Sequence, residues 1–237
     1  MFTGMERCMM AVERQSFRRF TYAEYVEYLK TFVSRVKFSQ VHVHGTWKPT
    51  IADYRKAADK MRIIQAMWRF HEITNNWGDI AQHATVDPDG YIWEGRSLLV
   101  APASAVGFND SDRDGIHPFM FEMIGNFDTG AEKLEGAQLA TAVKLTSAIL
   151  KLWNLPDSQI KFHREMNPTK TCPGSGVSKA SFVQLVQDWR SSEMSIEDAN
   201  KIIATWLSPA WFAATTKAER DEIHRLANEL RKASGQL

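Results

Sequence analysis

Apolar residues recur at helical spacing in some stretches of the chain and alternate in others, and the two periods divide it into elements. Over YAEYVEYLKTFVSRV, Tyr22, Tyr25, Val26, Leu29 and Phe32 fall near one face of a helix, and Thr21 with Glu24 offers its capping box. SQVHVHGTW, residues 39–47, alternates Val41 and Val43 against His42 and His44, which predicts a strand. A long helical pattern follows from about Asp53 to Asn75, with Ile63, Met67, Phe70 and Ile73 along its apolar side. IAQHATV and YIWEGR flank DPDG, whose proline in second and glycine in fourth place predict the turn of a hairpin. The polar stretch 102–118 reads as a loop, FMFEMIGNF (119–127) as a buried strand, and QIKFH (159–163) as a short one. Thr129 with Glu132 predicts the start of a helix ending near Trp153, and a further helix covers 178–190.

The pattern changes at RSSEMS, residues 190–195. Beyond it, IEDANKIIATWL and KAERDEIHRLANELRKAS predict a helical hairpin, capped by Ser195 with Asp198 and by Thr216 with Glu219 and stopped at Gly235. Ile202, Ile203, Trp206 and Leu207 on the first helix face Ile223, Leu226, Ala227 and Leu230 on the second, with Trp211 and Phe212 in the connector. Strands alternating with helices between 39 and 190 indicate one α/β domain. The expected division is a helical extension over 1–37 that packs on the domain, the domain itself over 38–190, and a tail over 195–237.

Composition narrows the classes. A chain that is 44% hydrophobic over 237 residues can bury one substantial core. A formal net charge of +1 provides no broad field for nucleic acid. Cys8 and Cys172 are the only cysteines, too few for a disulfide framework and suited to a reducing compartment. The first 20 residues carry charges throughout, so no secretory signal is expected, and no stretch approaches the roughly 20 apolar residues of a membrane span. Synthesis in a cytosol is the expectation.

Candidate chemistry concentrates in KFHREMNPTKTCPGSGV, residues 161–177. His163 ends the short strand, and the loop is long enough to bring the Cys172 sulfur back beside its imidazole. Imidazole and thiolate suit zinc, which in catalytic sites takes three protein ligands. Strand alternation puts His42 and His44 on one face, and His44, at the strand end, is the better third donor. Taken alone, the residues leave two further readings open: Cys172 as a nucleophile with His163 as its base, or a loop with an incidental thiol.

The order of VHVHGTW, NNWGDIAQHATVDPDGYIWEGR, FEMIGNFD and HREMNPTKTCPG resembles the zinc-dependent N-acetylmuramoyl-L-alanine amidases, a family shared by phage lysins, bacterial muropeptide amidases and peptidoglycan recognition proteins. The resemblance covers about residues 38–190 and implies a central mixed β-sheet flanked by helices. It implies that His44, His163 and Cys172 hold zinc, which would activate water and polarise the scissile amide carbonyl. It implies Glu122 as general base, because Gln82 stands where other members carry a catalytic tyrosine, and Lys170 as the group facing the oxyanion. His83 matches a histidine that lines the cleft, Trp47 and Asn126 are expected contacts for glycan or peptide with Gln82 also at the substrate, and Ser104 or its neighbours replace a histidine common in relatives. Peptidoglycan is the implied partner. A phage endolysin that waits in the host cytosol and then acts on the wall is the expected role, with the tail binding the wall or mediating dimerisation. The alternatives are a cytosolic muropeptide-recycling amidase and a noncatalytic peptidoglycan-binding module.

Overall fold

The computed structural model describes residues 16–103, 105–192, 194–234 and 236; Cys8, Ser104 and Gly235 therefore lie outside the described residues. Six strands form one mixed sheet in the order β1-β4-β3-β5-β2-β6. These are β1 (Arg19–Phe20), β2 (Lys37–Gly45), β3 (Ala84–Val86), β4 (Ile92–Glu94), β5 (Ile116–Met123) and β6 (Ile160–Phe162). β2, β5 and β3 run parallel, as do β2 and β6, while β3 and β4 form the antiparallel hairpin that DPDG predicts. β5 begins three residues earlier than its apolar run. It is buried at every position but the first, so IHPFMFEM is mostly apolar, with His117 and Glu122 the polar exceptions, where a half-exposed strand would alternate.

The N-terminal stretch is not helical throughout. Arg19 and Phe20 add the edge strand β1 to β4 before α1 (Tyr22–Lys30) begins at the Thr21–Glu24 capping box. The hairpin turn is held by Asp87, whose carboxylate is fully buried. One oxygen accepts the N–H groups of Asp89 and Tyr91, each at 3.0 Å. The other accepts Tyr54 OH at 2.6 Å, Trp93 Nε1–H at 2.9 Å and Arg19 Nε–H at 2.9 Å. Bonds to an ionised group are worth roughly 1.5–3 kcal/mol each, so this carboxylate ties β1, β4 and the next helix to one point.

The helical pattern expected from Asp53 to Asn75 is broken in two. α2 (Ile51–Lys56) stops where Ala57 turns extended, and Lys60 Nζ donates to the carbonyls of Tyr54, Arg55 and Ala57 at 2.7–3.0 Å, closing the helix end. α3 (Met61–Arg69) then runs into a π-helical turn over Phe70–Thr74. Tyr54, Ile64, Met67 and Trp68 pack with Phe17, Ile80, Trp93 and Ile124 into one buried cluster.

Thr129 and Glu132 do not start a helix. α4 (Gly136–Leu152) begins later, with Glu135 at its N-cap and no side-chain cap. The Glu132 carboxylate instead accepts Ile51 N–H at 2.9 Å and Ala52 N–H at 3.1 Å, capping α2 from a distant part of the chain. After β6 come α5 (His163–Met166) and α6 (Lys179–Ser192).

The chain divides into two compact units at Val186/Gln187. In the second, α7 (Ile196–Ile202), a π-helical turn over Ile203–Leu207 and α8 (Ser208–Ala213) follow one another directly, and α9 (Lys217–Ala233) returns from the Thr216–Glu219 capping box. Trp211 and Phe212 thus belong to a helix and not to the connector. Pro209 sits just after the π-helical turn, at the start of α8. No described helix is long and apolar enough to cross a membrane.

Candidate metal centre

Strand register builds the site. His44 pairs with Glu122, Glu122 with Thr85, and Thr85 with Trp93, so four side chains stand in one row across β2, β5, β3 and β4. Trp93 anchors one end of the row in the buried cluster. At the other end, Phe162 pairs with Val43, which carries His163 forward beside His44, and their rings lie 4.5 Å apart. His163 does not end the strand: it opens α5, which turns the chain out of the sheet.

The loop after α5 folds back on β2. Cys172 Sγ lies 3.6 Å from His44 Nδ1 and accepts the Gly45 N–H at 3.4 Å. This approach needs a glycine, because a Cβ at Gly45 would meet the Pro173 carbonyl oxygen at 2.4 Å. Gly174, at φ +144°, is pressed as closely against the Phe127 carbonyl.

One donor atom each from His44, His163 and Cys172 lies within 4.8 Å of the other two. The donor types suit a tetrahedral metal. With metal–nitrogen and metal–sulfur bonds of about 2.05 and 2.3 Å, such a centre separates nitrogen from sulfur by about 3.6 Å, the spacing of His44 Nδ1 and Cys172 Sγ. Burial pushes the Cys172 thiol up to about 12 and holds His44 well below its ordinary value. His163 is lowered by burial and then by Lys170. Both imidazoles are therefore neutral donors, and the thiol ionises only with a compensating cation beside it. His44 Nε2 is buried without a hydrogen-bond partner. His42 shares the face but turns away, with Nε2 2.9 Å from Gln40 Oε1.

Glu122 lines a cleft of about 430 Å³ with Thr46, Trp47, Lys48, Pro49, Phe70 and His71. Burial alone raises its carboxyl to about 7. Its charge raises the Cys172 thiol, while the charges of Arg164 and Lys170 lower it, and Lys170 also lowers His163. Lys170 is exposed, in the loop just before Cys172. Trp47 reaches the cleft with 63% of its surface free.

Three of the expected cleft residues are occupied elsewhere. His83 is buried, accepts the Met120 N–H on Nδ1 at 3.1 Å and meets the Val100 carbonyl with Nε2 at 2.9 Å. It is packed between Phe38, His117 and Phe119 as a core residue and does not line the cleft. Gln82 is also fully buried, with its amide donating to Thr85 Oγ1 at 2.8 Å, so it has no surface to offer a ligand. Asn126 Oδ1 accepts the Asp128 N–H at 3.1 Å and organises its own turn.

His71, within the helical pattern of 53–75, carries no sequence motif that marks it for the cleft. Its Nδ1 accepts the Ala81 N–H at 3.1 Å, and burial followed by Arg96 lowers it to about 4. A neutral ring that accepts on Nδ1 carries its proton on Nε2, so His71 is a fixed N–H donor in a wall of the Glu122 cleft. Only its i+4 spacing from Met67 was visible in sequence, which puts it on the apolar side of the helical pattern.

A human protein named N-acetylmuramoyl-L-alanine amidase is 31% identical over 140 residues, covering 58% of this chain and 22% of that protein. The Drosophila melanogaster peptidoglycan-recognition protein LB is 26% identical over 136 residues, covering 56% of this chain and 53% of its own length. The chain thus spans about a fifth of the human relative and about half of the insect one. The fold matches that of a mutant of Drosophila PGRP-LB in complex with tracheal cytotoxin at a TM-score of 0.51 and 23% identity, over 68% of this chain and 82% of that one. The family profile described as N-acetylmuramoyl-L-alanine amidase covers residues 34–175, more than half of the sequence and all three donor residues, and the chain belongs to that family.

Proposed function

We propose that the chain hydrolyses the amide between N-acetylmuramic acid and L-alanine in peptidoglycan, with zinc held by His44, His163 and Cys172, in the role of a phage endolysin. The observation that carries this reading is the convergence of two neutral imidazoles and a thiol within 4.8 Å, beside a buried carboxyl that lines an open cleft. When bound there, zinc supplies Lewis-acid polarisation of the scissile carbonyl and lowers the pKa of water.

The remaining work falls to the chain's own side chains. Glu122, raised to about 7, is matched to take a proton from the attacking water and return it to the leaving nitrogen. Lys170 brings an ammonium to the negative charge that develops on the carbonyl oxygen. His71 Nε2–H and the exposed Trp47 ring offer a polar and an apolar contact for the stem peptide or the sugar.

Digestion of purified soluble muropeptides tests the reading. The expected products are a muramic-acid glycan and a peptide with a new L-alanine N-terminus, lost with a strong chelator and restored by zinc. Cleavage that survives chelation and stops on thiol alkylation would instead favour Cys172 as a nucleophile. Binding without cleavage would favour a recognition module.

The role proposed for residues 187–237 is wall binding. Trp206 and Phe212 are 70% and 78% exposed there, and aromatic rings on a small helical unit suit adsorption to an insoluble glycan. A chain ending at Ser192 is expected to cleave soluble muropeptides at an unchanged rate and to lyse whole walls more slowly, because the local concentration on the substrate is lost. Equal wall lysis by both chains would remove this role, and a change in molecular mass by light scattering would point to dimerisation instead.

A further inference from the structure

Arg164 stands next to a donor residue, yet its side chain is turned away from the cleft and into the loop that carries another donor. Its Nη1 donates to the Gly174 carbonyl at 2.8 Å and its Nη2 to the Val177 carbonyl at 2.7 Å, with a longer contact from Nη1 to Thr171 O at 3.4 Å. Its backbone N–H donates to the Cys172 carbonyl at 3.0 Å. The guanidinium plane also lies over the Phe162 ring, with Cζ 4.9 Å from the centroid. A single residue therefore grips the chain before, at and after Cys172.

The grip matters because the loop has no regular structure of its own. Cys172, Pro173 and Gly174 pass between two backbone walls, Gly45 on one side and Phe127 on the other. Gly45 N–H donates to Cys172 Sγ at 3.4 Å and Gly176 N–H to the Phe127 carbonyl at 2.9 Å, and to these single bonds Arg164 adds a side-chain fork on Gly174 and Val177. The planar fork of an arginine matches two carbonyls at once, and a lysine ammonium cannot span them in the same way.

We propose that Arg164 is a positioning residue: by clamping the Gly174 and Val177 carbonyls it fixes Cys172 Sγ at the 3.6 Å from His44 Nδ1 that a tetrahedral metal requires. The inference rests on the zinc reading above and concerns metal affinity, with no direct part in the chemistry. Partners of this kind behind the direct ligands commonly contribute about 10–100-fold in affinity.

The test compares the full chain with Arg164→Lys and Arg164→Gln. Zinc affinity is measured by competition with a chromogenic chelator, the cobalt-substituted proteins are compared through their thiolate-to-metal absorption band, and folding is followed by circular dichroism. The expected result is that both variants stay folded, bind zinc about 10–100-fold more weakly, and show a weakened or shifted band. Lysine should not rescue, because it restores the charge but not the fork. Full rescue by lysine would reduce Arg164 to a nearby positive charge, and unchanged affinity and band in both variants would also overturn the proposal. Loss of the fold in both would overturn it too, since Arg164 would then be a determinant of the fold. A parent chain that binds no zinc would be a failure of the zinc reading itself, seen before any variant is compared.

Discussion

On the proposed zinc reading, His44→Ala is expected to purify as a folded protein without metal, and the proposed amidase activity should fall to background. His44 is buried and places Nδ1 at 3.6 Å from the Cys172 thiol, so its loss leaves two donors where a catalytic zinc needs three. His42→Ala is the paired control. That ring is just as buried, but its Nε2 is engaged with Gln40 and it lies outside the converging donor set. The His42 variant should lose some stability, because a buried ring is removed, while keeping its zinc. Elemental analysis of both proteins, with zinc add-back, reads the outcome directly. Zinc retained by His44→Ala and lost by His42→Ala would mean that the other histidine of this strand is the ligand.

Glu122→Gln should keep both fold and metal and lose about 10²–10⁴ in turnover, the usual contribution of a positioned general base. The substitution preserves size and removes only the ability to exchange a proton. Its neighbours in register are His44 and Thr85, and no other carboxyl lines the described cleft. The measurement is kcat on a soluble muropeptide at saturating substrate, with zinc content determined on the same sample. Turnover close to that of the parent chain would assign the proton to another group. His71 is then the first to examine, because it lines the same cleft, whereas His83 has both ring nitrogens committed inside the core.

Much of the architecture was legible along the chain. The alternation in VHVHGTW, the turn residues of DPDG and the largely apolar sequence of β5 are local signals, since backbone geometry repeats every two or 3.6 residues and side chains follow it. The Thr21, Ser195 and Thr216 caps formed as read, because the partners of an N-cap lie within one turn. The order of motifs was likewise enough to place the chain in its family and to anticipate the mixed sheet.

What the sequence could not decide depended on partners distant in the chain. Thr129 and Glu132 have the spacing of a capping box, but the Glu132 carboxylate is taken by the unpaired N–H groups at the start of α2, some 80 residues earlier. His83 and Gln82 have the chemistry of cleft residues, but β5, Val100 and Thr85 enclose them, and burial turns a candidate contact into a core hydrogen bond. His71 carries no signal of the cleft in the sequence, because its role depends on the Ala81 N–H that fixes its proton on the other nitrogen and on the cleft in front of it. By itself the chain determined its elements and their order, because propensity, capping and periodicity act over a few residues. Only the tertiary structure decided which polar groups are desolvated, which are already paired and which face an open cleft, because each of those properties belongs to a side chain's surroundings and not to its neighbours in sequence.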